Sequence, residues 1–309
     1  MSGYRILYIA GIGRNGGTIL DRILGHVPGF VSTGELSFVW LKGVLRDELC
    51  NCGEPFSRCP FWREVGAKAF GGFDSGFAER MHRLSEAADP SRRVVDWLRA
   101  SGAFTARVSP YTDALKRLHD AVADVSGARV VVNSSKFAGY GFALLASRAA
   151  PVFVLHLVRD PRATAHSWAK VVRKPEVTRD EAFLKRFSPT SAAVQWTYRN
   201  VAAELLRTRA AGYRRLRYED FAARPRETVA ELVEWMGEPA AAIQSRGVPF
   251  VDDSTVELGV THTQSGNPSR FRSGRIEIAC DDEWKRAMPA GSRRLVTAIT
   301  LPLATRYGY

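Results

Sequence analysis

Residues 4–24 (YRILYIAGIGRNGGTILDRIL) constrain the fold more than any other part of the chain. Four apolar residues, Ile6, Leu7, Tyr8 and Ile9, precede four glycines within seven positions, Gly11, Gly13, Gly16 and Gly17, and an amphipathic segment opens at Thr18. This order predicts a buried strand, a tight turn and a helix. Glycine admits positive φ and lets the backbone come close to a ligand. A helix that begins behind such a turn offers unpaired N–H groups and the positive end of its dipole. The arrangement suits a phosphate; a tight strand–helix turn without a ligand is the plainer alternative.

Residues 11–18 (GIGRNGGT) come close to the pattern G-x-x-x-x-G-K-[ST] and depart from it at one position, where Gly17 stands in place of lysine. That lysine reaches the β/γ-phosphates in P-loop NTPases, so its absence argues against ATP or GTP hydrolysis. A cation does occur three residues earlier, at Arg14. The chain has 309 residues and a formal net charge of +12, which suits an anionic ligand. Its arginines are scattered rather than gathered in a tail, which argues against nucleic acid as the partner. No stretch approaches the roughly 18 apolar residues of a membrane span. The apolar run at the start is too short for a signal segment. A cytoplasmic enzyme without a membrane span is expected.

Strand and helix signals alternate along the chain. Strands are predicted at 30–32, 128–133, 151–158 and 213–218, and helices at 36–46, 137–149, 161–172, 190–211 and 227–236. Near-continuous apolar runs such as PVFVLHLV belong to parallel strands covered on both faces. The alternation calls for a central parallel sheet flanked by helices on both faces, an α/β three-layer, P-loop-like architecture in one domain spanning 1–309. Residues 60–126 read as a helical insertion (64–70, 77–88, 91–100, 111–123) over the substrate side, with its aromatic residues in the core. Residues 174–188, charged and punctuated by proline, read as a mobile loop near the site. Residues 262–275, polar and carrying Arg270 and Arg272, read as a loop of a type that is often functional. A final helix is expected from about Asp281 and Asp282.

A second motif decides between ligands. In VLHLVRDPRATAHSWAK, Arg159 leaves the end of a strand and Ser167 follows about two helical turns later. A guanidinium grips a phosphate in bidentate fashion. Taken with the R-x-G-x-T of Arg14, Gly16 and Thr18, this resembles the sulfotransferases that use 3′-phosphoadenosine-5′-phosphosulfate (PAPS), in particular the bacterial type. Asn133-Ser134-Ser135-Lys136 and Arg217-Tyr218-Glu219-Asp220 are similar to further segments of that family. The resemblance implies that Gly13, Arg14, Asn15, Gly16, Gly17, Thr18 and Ile19 hold the 5′-phosphosulfate. It implies that Arg159 and Ser167 hold the 3′-phosphate, and that Tyr218, Arg270 and Arg272 lie about the nucleotide. The expected reaction is in-line transfer of the sulfuryl group to a hydroxyl of a small-molecule, lipid or sugar acceptor, with no metal required. Arg14 and Lys136 would stabilise the transferring group, and Glu35, after the second strand, would be the base. His166 and His262 read as surface or packing residues. A P-loop small-molecule kinase and a non-catalytic nucleotide-binding protein are the alternatives.

Cys50, Cys52 and Cys59 cluster as C-x-C-x6-C, with Cys280 apart. Three readings stay open: part of a zinc site, with no fourth ligand near in sequence; a Cys52–Cys59 disulfide, unusual in a reducing compartment; or packed free thiols. The segment is similar to cysteine-containing stretches of bacterial sulfotransferases, with no chemistry attached.

Overall fold

The computed structural model describes residues 3–173, 183–239, 241–244 and 249–309. Five parallel strands form its central sheet: β1 (Arg5–Gly11), β2 (Phe30–Ser32), β3 (Val130–Lys136), β4 (Val152–Val158) and β5 (Gly212–Arg217). Their order is β2-β3-β1-β4-β5. Every neighbouring pair is parallel, with Ile6 opposite Val131 on one side and Val152 on the other.

Alternation along β1 builds a core on each face. Ile6, Tyr8 and Ala10 point into one cluster, where the helices α2 (Pro60–Phe70), α3 (Ser75–Ala88), α4 (Val94–Arg99), α5 (Gly102–Ser126) and α6 (Ala138–Ser147) pack. Leu7 and Ile9 point into the other, with α1 (Gly17–Leu24), α9 (Tyr218–Ala223) and α10 (Pro225–Trp235). The segment at 60–126 therefore packs into the core on one face of the sheet, through Trp62 and Trp97 among others, as the aromatic content predicts. α7 (Pro161–Ala169) and α8 (Pro189–Glu204) meet α13 (Ala290–Arg306) in smaller clusters. Short helices α11 (Ala241–Gln244) and α12 (Glu283–Ala287) complete the set.

Three expectations change. The predicted helix at 36–46 is a 3₁₀ turn (Leu36–Phe38) running into a π-helix (Val39–Leu45). Its widened turn fits a buried Trp40 wedged edge-on against Phe70, Phe73 and Phe77, and π turns recur near functional sites. β3 continues three residues beyond Asn133, with all seven residues buried. Opposite it, the pairing with β1 slips between Tyr8 and Ala10, and Lys136 adopts φ 70. A bulge of this kind re-aims a side chain. Asn133 wraps it by accepting from the Ser135 N–H (3.1 Å) and hydroxyl (2.6 Å). Finally, an antiparallel hairpin of β6 (Thr255–Leu258) and β7 (Gly274–Glu277), not foreseen, carries the loop between them. The part of the expected mobile loop at 174–182 lies outside the described residues. Among the described residues no helix is long and apolar enough to cross a membrane.

Candidate active site

The glycine turn lies beyond the carboxyl end of β1, as an open α/β sheet requires of a ligand loop. Its shape is fixed from below. Asn15 is buried; its amide donates to the Leu157 carbonyl (2.7 Å) and its oxygen accepts from the Gly17 N–H (3.1 Å). Gly16 takes φ 87 as the N-cap of α1, with no side-chain cap. With the Gly17 N–H taken by Asn15, the N–H groups of Thr18 and Ile19 in the first turn of α1 remain for a ligand. Thr18 and Ile19 line the cleft with the loop, and the Thr18 hydroxyl accepts from the Asn267 N–H (3.4 Å).

The cleft has a volume of about 410 Å³. Among the described residues six cations line it, Arg14, Lys42, Lys136, Arg159, Lys185 and Arg199, against one carboxylate, Glu35. Such an excess of like charge in a partly buried cleft is costly unless an anion neutralises it. Burial lowers the Arg14 pKa; the Glu35 carboxylate opposes this and the Arg159 charge adds to it. The Arg14 guanidinium lies 5.4 Å over the Trp168 ring, and the Trp168 indole donates to the Gly13 carbonyl (3.1 Å).

Lys136 stands beside the loop, next to Gly17. Its ammonium pairs with Glu35 and donates to the Ser134 carbonyl (3.0 Å). A Cβ on Gly17 would lie 3.1 Å from Asn15 Oδ1 and 3.4 Å from Lys136 Cε, so the small residue at this position makes room for a lysine arriving from β3. Glu35 is anchored through its N–H to the Gln264 carbonyl (2.8 Å).

At the other end, Arg159 extends from β4 and stacks on Tyr218 at 4.8 Å. It donates to the Arg14 carbonyl (3.2 Å) and to the Asp281 carboxylate (3.0 Å), while its Nε has no hydrogen-bond partner among the described residues. Burial works against the Asp281 charge, and Arg159 outweighs it, holding the carboxyl below its usual range. Asp160 caps α7 by accepting from the Arg162 N–H (2.7 Å) and pairs with the Arg162 guanidinium (2.5 Å). Ser167, on the same helix, lines the cleft.

Fourteen residues were expected at a site by their pattern. The structure gathers Gly13–Ile19, Glu35, Lys136, Arg159 and Ser167 along one cleft. Tyr218 stands behind it, under Gly16 and Arg159, with its hydroxyl on the Ala279 carbonyl (3.2 Å). Arg270 and Arg272 do not line it. Arg270 is fully buried and donates to the Leu49 carbonyl (2.9 Å), and the exposed Arg272 is held through its carbonyl by Arg22 (2.6 Å). The loop contributes Gly266, Asn267 and Ser269 instead. Sequence reasoning did not single out Lys42, Trp168, Lys185, Arg199 or Asp281; Trp168, directly after Ser167, had the clearest local signal. His166 pairs with Glu283 (3.3 Å) at the surface.

A second cavity of about 710 Å³ adjoins the cleft and shares Phe38, Phe137 and Arg199 with it. Ser37, Leu41, Ser85 and Tyr198 also line it, so its wall comes from the 3₁₀ turn with the start of the π-helix, α3, the turn at 89–92 and α8. Away from both, Cys50, Cys52 and Cys59 meet His262, and no pair of sulfurs is bonded: Cys52 and Cys59 stand 3.7 Å apart. His262 packs on Phe61, as a packing residue would, and it also brings a fourth donor atom to the cysteine cluster from two hundred residues away in sequence.

The model of the sulfotransferase family matches residues 7–242. Among solved structures, the sulfotransferase domain of the Synechococcus PCC 7002 olefin synthase superposes with a TM-score of 0.51 at 19% identity, covering 99% of this chain and 94% of that one. The sulfotransferase domain of the curacin biosynthetic pathway gives 0.52 at 15% identity, covering 97% and 98%. These two likenesses bear on the fold: a central parallel sheet flanked by helices. No curated protein matches the chain.

Proposed function

The chain belongs to the sulfotransferase family, and from that premise we propose that it moves the sulfuryl group of PAPS to a hydroxyl of a small-molecule, lipid or sugar acceptor. The observation that supports this reading is the line of cations joining the two ends of one cleft: the N-terminus of α1 behind Gly16, and Arg159, whose Nε has no hydrogen-bond partner among the described residues. Two ends suit a nucleotide with phosphate groups at its 5′ and 3′ positions.

PAPS supplies an activated sulfur: the acceptor oxygen–sulfur bond forms as the sulfur–oxygen bond to the 5′-phosphate breaks, leaving 3′,5′-adenosine bisphosphate. The protein's part is positioning and charge. The backbone of residues 16–19 and the Thr18 hydroxyl hold the 5′ end. Arg14 and Lys136 meet the negative charge that grows there. Arg159 and Ser167 hold the 3′-phosphate, with Asp281 keeping the guanidinium in place until an anion competes for it. Glu35 accepts the acceptor's proton, and its ion pair with Lys136 joins the base to the electrostatic machinery. The acceptor lies in the adjoining cavity and reaches Glu35 past Phe38 and Phe137. The metal-free character of the transfer, and a location in the cytoplasm, are parts of the same proposal.

Sulfur-labelled PAPS, offered with a panel of hydroxylated lipids, sugars and phenols, tests it. Label should pass to at least one acceptor. Glu35→Gln should cut turnover by about 10²–10⁴-fold, the usual contribution of a general base, while bisphosphate affinity stays the same. Full turnover in that variant would overturn the base assignment.

A further inference from the structure

We propose that Cys50, Cys52, Cys59 and His262 form a tetrahedral zinc site, structural rather than catalytic, that fastens the 50–59 loop to the segment around His262, which in turn pairs with the strand end carrying Glu35. Their four donor atoms all lie within 4.8 Å of one another. Cys59 Sγ stands 3.6 Å from Cys50 Sγ, 3.7 Å from Cys52 Sγ and 3.3 Å from His262 Nδ1; Cys50 Sγ stands 3.9 Å from the same nitrogen. Zn–S bonds of about 2.3 Å and a Zn–N bond of about 2.0–2.1 Å in a tetrahedron require S···S edges near ~3.8 Å and S···N edges near ~3.5 Å. The two S···S edges fall just short of the first value, and the two S···N edges stand on either side of the second. A disulfide would bring two sulfurs to about 2.05 Å and leave the other two donors with no role.

The surroundings hold the donors in place. The His262 ring stacks on Phe61 (5.1 Å, 10°), and its carbonyl accepts from the Trp62 indole (2.9 Å). Cys50 N–H donates to the Glu54 carbonyl (2.9 Å), closing the loop on itself. Three thiolates and a neutral imidazole around Zn²⁺ carry a single negative charge, and the three thiol protons leave to solvent on binding. The buried guanidinium of Arg270 donates to the Leu49 carbonyl (2.9 Å) at the start of the same loop.

The consequence reaches the candidate active site. Asn51 accepts from the Thr261 N–H (3.0 Å) and hydroxyl (2.7 Å) and donates to the Arg270 carbonyl. Beyond His262, Gln264 exchanges backbone bonds with Thr33 (2.9 Å) and Glu35 (2.8 Å). Gly34, at φ 74, leaves no room for a Cβ, which would stand 2.4 Å from the Gln264 carbonyl. The metal would thus clamp two distant segments on either side of the strand end that presents Glu35.

Elemental analysis of the full-length protein, purified under reducing conditions without chelator, should find about one zinc per chain. Exchange with Co²⁺ should give thiolate-to-cobalt charge-transfer bands and the strong ligand-field bands of a tetrahedral site. Cys52→Ser, at the least buried donor, and His262→Gln should lose most of the zinc and lower the melting temperature. The wild-type cobalt spectrum decides the matter even where a variant fails to fold. Reduced protein that takes up no zinc or cobalt, a Cys52–Cys59 disulfide in metal-free protein under the same reducing conditions, or full zinc content in both variants would overturn the proposal.

Discussion

Gly16 sits at φ 87 with the Tyr218 ring against it: a Cβ there would lie 2.4 Å from the ring. Two costs then fall on one substitution. An L-residue with a side chain loses roughly 1–2 kcal/mol in the left-handed region, and the ring that supports Arg159 must move. Gly16→Ala should therefore lower the melting temperature and weaken binding of 3′,5′-adenosine bisphosphate by about tenfold or more, equivalent to at least ~1.4 kcal/mol. Calorimetric titration of the variant checks this; unchanged affinity would contradict the shared role of Gly16 and Tyr218. Gly17 illustrates the same logic in the opposite direction. Read alone it is a lost lysine. Beside β3 it is the space through which Lys136 reaches the loop. That approach is invisible in a linear reading, because it depends on a bulge that turns Lys136 to φ 70.

At the scale of elements, α1 and β2 meet through a buried carboxylate. Asp21 is fully buried and accepts from the Ser32 hydroxyl (2.5 Å). Burial raises its pKa to about 7, with the Ser32 bond and the Lys136 charge opposing. The folded protein then keeps a proton that the unfolded chain has released. Stability should fall as pH rises from about 4 to about 7 and level off above that. Asp21→Asn should flatten this slope, so that melting temperatures at pH 5 and pH 8 draw together; an unchanged slope would contradict the assignment. The five parallel strands were legible because each is short, and the inner three carry apolar residues toward both faces. β6 and β7 were not: β6 alternates, with Val256 and Leu258 buried, but four residues are too few to stand out, and three of the four residues of β7 are exposed. The π-helix escaped for another reason, since its apolar spacing is that of an ordinary helix and only the wedged Trp40 distinguishes it.

For the whole molecule, both ends of the cleft were legible, because a glycine turn and an arginine at a strand end carry their chemistry locally. What was not legible comes from distant chain. Asp281 engages Arg159 from 122 positions away, and His262 completes the cysteine cluster from beyond the entire sheet. Arg270 was misjudged for the same reason: a cation in a polar loop suggests a ligand, yet the fold turns it inward to Leu49. The central claim is that one cleft holds two phosphate groups of one nucleotide. Calorimetric titration with 3′,5′-adenosine bisphosphate and with ATP, each with and without Mg²⁺, in the wild type and in Arg159→Ala, tests it most directly. The account predicts tight binding of the bisphosphate without Mg²⁺, weaker binding of ATP, and a loss of about 10–150-fold in bisphosphate affinity in Arg159→Ala, the ~1.5–3 kcal/mol of a charge-assisted contact. Preference for Mg²⁺–ATP, or unchanged bisphosphate affinity in Arg159→Ala, would contradict it.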